Sequence, residues 1–146
     1  MREGPSTQGA TQKAVRILGI CLLIGILIYF LFVKNADGIS VAVKDDHLSL
    51  SYSSEAAFTI DYKDILSVTE RVDLDLGKTI SGIETKGVRF GIWENREFGK
   101  YQLCIHDNVE RYIVVKTSSN ISVFNFESID ATDNFYKAFV ELLKTK

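Results

Sequence analysis

Residues 17–33 read ILGICLLIGILIYFLFV, a run without a charge or a proline, and no other stretch limits the fold of this chain as strongly. Ala14 and Val15 extend the run past Arg16. At the rise of an α-helix, seventeen to twenty such residues span about 25–30 Å, the hydrocarbon thickness of a bilayer. Arg16 can snorkel to the headgroups on one side. Lys34 marks the other side, with Tyr29 and Phe30 close enough to act as interfacial anchors. Residues 14–33 are therefore expected to form one transmembrane helix.

Two readings compete with an uncleaved anchor. A secretory signal peptide has an apolar region of roughly 7–15 residues, and this run is longer. Cleavage after Ala36 would also put Lys34 where a small residue is needed. A lipoprotein signal at Cys21 would need a small residue where Ile20 stands. The helix is thus expected to stay. Arg2, Lys13 and Arg16 precede it, against Lys34 and the more distant Lys44 after it. The positive-inside rule then places the N-terminus in the cytoplasm and the rest outside, as a single-pass protein of the cell membrane.

Beyond the span, a chain of 146 residues has room for one domain. Residues 1–13 are polar, include the chain's one proline, and read as a flexible tail. Residues 34–38 read as a linker, and residues 39–146 as the domain. Cys21 in the span and Cys104 in the domain cannot pair within one chain, so the fold has to rest on its apolar core. From Lys34 onward 14 Lys and Arg stand against 18 Asp and Glu, a formal charge of −4, with no basic patch. That balance argues against nucleic acid as a partner.

Period-two alternation starts with Ile39, Val41 and Val43, turns at Asp45-Asp46, and resumes with Leu48, Leu50 and Tyr52, which predicts a hairpin. Phe58, Ile60 and Tyr62 mark a third strand, and residues 65–72 a fourth. Residues 73–99 contain Gly77, Gly82, Gly87, Gly91 and Gly99, so an irregular loop with one broken or bulged strand near 88–93 is expected there. Strands follow at 101–105, 112–117 and 121–126, separated by turns at 106–108 and 118–120. A helix starting near Asp130 or Thr132 closes the chain, because Phe135, Ala138, Phe139, Leu142 and Leu143 form one apolar stripe.

Three pieces of this pattern carry a resemblance. They are Phe58-Thr-Ile-Asp-Tyr-Lys-Asp-Ile-Leu-Ser-Val68, the glycine-bearing segment 82–99, and residues 112–117 followed by Phe124-Asn-Phe126 and the helix with Phe135 and Phe139. Their order and spacing, behind an N-terminal membrane helix, resemble bacterial pleckstrin-homology (PH) domain proteins over residues 39–144. The resemblance implies a mainly β fold with one C-terminal helix: a bent antiparallel barrel or sandwich with one end plugged by the helix. It implies a binding or assembly module with no shared catalytic residues. Relatives that bind phosphoinositides carry basic residues after the first strand; Asp45 and Asp46 stand there in this chain, with Lys44 alone nearby.

Few residues suggest chemistry. Cys104 and His106 would share one face of a strand, but a metal site wants three or four ligands, and the other histidine, His47, is remote in sequence. The carboxylate pairs Asp73/Asp75 and Glu94/Glu97 lie in loop-like or strand-edge surroundings. The glycines of 77–99 lack the strand–loop–helix setting of a phosphate-binding loop. No catalytic residue, metal or cofactor is therefore expected. Asn120-Ile121-Ser122 fits the glycosylation pattern by an ordinary turn, and Gly19 and Gly25 do not have GxxxG spacing.

The stretch 88–99 is the most informative for binding, because Phe90, Trp93 and Phe98 stand among Arg89, Arg96 and glycines. Aromatic residues with arginine are enriched at protein interfaces, which makes these five a candidate contact surface. The competing reading is that the rings fill the sheet core, with Gly91 permitting a bend; burial decides between them. The expected function is a non-catalytic protein-interaction or assembly module, bilayer-anchored through its helix, with a protein partner or a second copy as ligand. The alternative is a module that binds a lipid headgroup, peptide or cell-wall fragment in a concave pocket.

Overall fold

The computed structural model describes residues 38–53 and 56–146. The expected tail, membrane span and residues 34–37 of the linker lie outside the described residues. Among the described residues, no helix is long and apolar enough to cross a membrane.

Strands β1 (Ile39–Val43), β2 (His47–Tyr52) and β3 (Ala56–Asp61) form an antiparallel three-stranded sheet. Its register sets Val41 against Leu50 and Leu48 against Ile60, so the alternating apolar residues meet on one face. A 3-10 turn, Tyr62–Asp64, then redirects the chain, and the Tyr62 hydroxyl donates to the Lys44 carbonyl at 2.9 Å. Burial pushes that phenol up to about 12.

Strands β4 (Ile65–Arg71), β5 (Lys78–Thr85), β6 (Val88–Asn95), β7 (Gly99–His106), β8 (Tyr112–Thr117) and β9 (Ile121–Phe124) form a second sheet in the order β4-β8-β9-β7-β6-β5. The expected all-antiparallel arrangement is corrected at one place: β7 and β9 pair in parallel. The loop after β7 skips one strand position, roughly 10 Å across two strand spacings, and the β8–β9 hairpin returns β9 into the gap. Asn125 secures this crossover: its side chain accepts from the His106 N–H at 2.7 Å and donates to the carbonyls of His106 and Val109. A fully buried amide with these bonds satisfied rigidifies the junction.

A second correction concerns β5. Residues 78–85 form an eight-residue strand where a loop was expected, paired along its length with β6. Gly82 faces Gly91 in that pair, both at positive φ, and a methyl group on either would run into the carbonyl of Ser81 or Phe90. The glycines let the two backbones pass closely; they do not break the strand.

The chain ends in helix α1 (Ile129–Lys144). Its N-cap is Ser128, whose hydroxyl accepts from the Ala131 N–H at 3.1 Å, in place of the expected Asp130 or Thr132. Asp130 sits in the first turn, where a negative charge suits the helix dipole, and the Thr132 hydroxyl is buried between the Ser128 carbonyl and the Phe126 N–H. The stripe of Phe135, Ala138 and Phe139 is buried as its spacing predicts.

Both faces of the six-stranded sheet are packed. On one, Phe90, Cys104, Ile113, Val115 and Phe124 meet the three-stranded sheet and Phe135 and Phe139 of the helix. On the other, Trp93, Leu103, Ile105, Val114 and Val123 form a second core, with Leu74, Leu76 and Phe98 against it. Each large apolar side chain removed from water contributes roughly 1.5–3 kcal/mol, which suffices for a fold without a disulfide.

Candidate interaction surface

The five residues singled out in the sequence are not one surface. Phe90 is buried and stacks on Phe58 with centroids 4.7 Å apart, in the core between the sheets. Trp93, at 1% exposure, lies in the other core, because three residues along a strand reverse the face. Both rings fill the interior and cannot meet a partner. Arg89 is held by Asp107 at 2.8 Å and Glu84 at 3.3 Å. Arg96 is exposed at the far end of β6, roughly 23 Å from Arg89 at the rise of a strand. Phe98, half-buried, packs edge-on against Tyr101 with Lys116 over its ring.

The surface that sequence reasoning missed is β5. It is one of the two outer strands of its sheet, and every one of its eight residues is exposed. Ile80 and Ile83, at 42% and 37%, are two of the exposed large apolar residues of the described chain. Lys78 and Glu84 flank an uncharged centre, Thr-Ile-Ser-Gly-Ile. An edge strand presents unpaired backbone donors and acceptors, and proteins commonly block such edges with charges, proline or cover. One sequence signal pointed here: the two-residue Lys86-Gly87 link between Thr85 and Val88 suits a tight hairpin.

Several of the titratable groups are engaged structurally. Cys104 is fully buried and burial pushes its thiol up to about 12, so it is not a nucleophile. His106 is buried two residues further along β7. Asp75 accepts from the Gly77 N–H, Glu94 pairs with Lys78, and Glu97 binds Arg71 with both oxygens. Among the described residues no group of three or more His, Cys, Asp or Glu could hold a metal. Glu70 of β4 and Asp133 of α1 bring two carboxyls together beside Arg111, whose Nε lies 3.1 Å from Asp133. Burial, and then hydrogen bonding with Asp133, hold the Glu70 carboxyl above its ordinary range.

An open groove of about 580 Å³ lies between the β1–β2 turn and the end of α1, where Asp45, Asp46 and Asp61 face Lys63 and Lys146. The model of the family described as bacterial PH domain matches residues 39–138. The chain belongs to the bacterial PH domain family. Comparison with curated proteins returned no match, and neither did comparison with solved structures.

A PH domain is an interaction module and is generally non-catalytic. In this bacterial PH domain the groove carries more acid than base, which disfavours an anionic headgroup there. The open β5 edge, in contrast, offers backbone hydrogen bonds and apolar side chains together.

Proposed function

We propose that this bacterial PH domain is a non-catalytic protein-interaction or assembly module, held at the cell membrane by residues 14–33 with the domain on the outer side. The observation that carries the reading is the exposed β5 edge, with its uncharged centre, on a domain that directly follows a bilayer-length apolar run. Tethering concentrates the domain near membrane partners, so a small interface is sufficient.

The test is extraction of cell membranes at alkaline pH with the full chain and with a variant lacking residues 1–33. The full chain is expected in the membrane pellet and the truncated chain in the supernatant; release of the full chain overturns the anchor. A Lys144→Cys variant in a Cys21→Ala, Cys104→Ala background reports the side. Labelling of intact cells by an impermeant thiol reagent is expected, and labelling only after lysis overturns the orientation.

A further inference from the structure

We infer that Glu70 of β4 and Asp133 of α1 form a proton-operated latch: one proton shared by the two carboxyls fastens the start of the helix to the β4 edge, and its loss to water frees that edge. The latch lies within the domain and does not depend on how the domain is anchored. Three elements meet there. Glu70 is next to last in β4, Asp133 is the fifth residue of α1, and Arg111 directly precedes β8. Both acidic side chains are mostly covered, at 25% and 28% exposure. Glu70 Oε1 and Asp133 Oδ1 are shielded from water, and among the described residues no donor reaches either oxygen with hydrogen-bond geometry.

Arg111 does not satisfy both acids. Its Nη1 lies 4.0 Å from Glu70 Oε2, and its Nε lies 3.1 Å from Asp133 Oδ1 without a hydrogen-bond angle. A shielded carboxylate oxygen without a donor is destabilising, and a second carboxylate beside it adds repulsion. One proton relieves both. It sits on Glu70, whose O–H then donates to the Asp133 carboxylate, and Arg111 balances the single remaining charge. Burial, and then Asp133, hold the Glu70 carboxyl above its ordinary range, as this arrangement requires. Lys137, one turn further along α1, pulls the other way. Asp130 and Glu110 are exposed, Arg71 is turned to Glu97, and β8 sets uncharged Ile113 opposite Glu70. A group with a raised folded value contributes stability that is present at low pH and lost as pH rises through that value. Acid therefore closes the latch and rising pH opens it. Opening leaves Phe135 and Phe139 in the core and releases only the contact between the helix start and the end of β4.

The experiment uses the full chain in detergent micelles. The carbon signal of the Glu70 carboxyl, followed by NMR from about pH 3 to pH 8, is expected to titrate above 4.5, and Asp133→Ala is expected to move its midpoint down. Amide exchange, corrected for its intrinsic rise with pH, reads the consequence for the fold. Residues 131–134 and 69–71 are expected to lose protection as pH passes the Glu70 midpoint, while the β5 amides bonded to β6, which open without the helix, keep theirs. Glu70→Gln, neutral at every pH and able to donate an amide hydrogen to Asp133, is expected to keep the protection of both segments constant. Asp133→Asn, which offers an ionised Glu70 an amide donor, is expected to flatten the profile as well and serves if the first variant fails to fold. A Glu70 midpoint at or below 4.5, protection that does not change with pH, a loss as large at β5, or a Glu70→Gln profile like that of the wild type overturns the inference. Release of the full chain from the alkaline membrane pellet bears on the anchored-module reading alone and leaves these expectations in place.

Discussion

Strands β4 and β5 are the two outer strands of the same sheet, and each has a bulge near its first residues, between Ile65 and Ser67 in one and between Thr79 and Ser81 in the other. From there they differ. β4 ends in Glu70 and Arg71, both engaged: Glu70 with Asp133 and Arg111, Arg71 with Glu97. Helix α1 packs against it. Although the bulge turns Leu66 out to 73% exposure, the rest of β4 is largely half-buried. Among the described residues no element covers β5 along its length, and its charges sit towards the ends. An identical irregularity therefore does not decide whether an edge is open; cover and charge do.

The largest expected effect comes from closing the approach that allows β5 to exist. Gly91→Val would force a branched side chain against the Ser81 carbonyl at a positive φ. A cost on the order of 2–4 kcal/mol in unfolding free energy is expected, combining backbone strain and lost strand pairing. Hydrogen exchange should show β5 amides losing protection while β4 amides keep theirs. Thr69→Val, exposed on β4, should stay within about 0.5 kcal/mol. If Gly91→Val lowers protection equally at both edges, the edges are one cooperative unit and the contrast between them fails.

A smaller effect sharpens the description of the covered edge. The Glu70 carboxyl lies above its ordinary value of 4.5 in the folded protein, mainly through burial and then through Asp133, while Arg111 and Lys137 oppose the shift. A raised folded value means that the folded state holds the proton more tightly than the unfolded state. The associated stability is fully present below the unfolded value and is lost as pH rises through the folded one. Urea midpoints of the wild type and Glu70→Gln, compared from pH 4 to pH 8, should therefore diverge with rising pH, with the wild type losing ground. A difference that is constant, or that moves the other way, would show that Arg111 holds Glu70 ionised.

The contrast between the edges also marks what could be read from the sequence. The β1–β2 hairpin and the stripe of Phe135, Ala138 and Phe139 follow from periodicity, because each element has one buried face. β5 has none, so its residues show no alternation, and its glycines resemble a loop until Gly82 is seen to face Gly91. The opposite burial of Phe90 and Trp93 was legible, since an odd spacing on a strand reverses the face; assigning both to one surface ignored that. The parallel β7–β9 pair and the Glu70–Asp133–Arg111 cluster were not legible. Each joins residues far apart in sequence, and no local pattern encodes which distant strand becomes a neighbour.

The smallest effect tests whether charge at the covered edge stabilises the fold or only guards the strand. Arg71 reaches Glu97 with both terminal guanidinium nitrogens, at 2.7 and 3.2 Å, and the pair is well exposed. Bidentate geometry favours the contact, but solvent and salt screen it and two long side chains lose freedom to make it. A double-mutant cycle with Arg71→Ala and Glu97→Ala should give the weakest coupling of these measurements, and it should disappear in 1 M salt. The expected consequence of the double variant lies in association: with the guard removed, β4 begins to resemble β5 and new cross-links should appear from a cysteine at Thr69. If coupling is lost and no such contact appears, the helix alone protects β4. The openness of β5 would then follow from the missing helix and owe nothing to its uncharged centre.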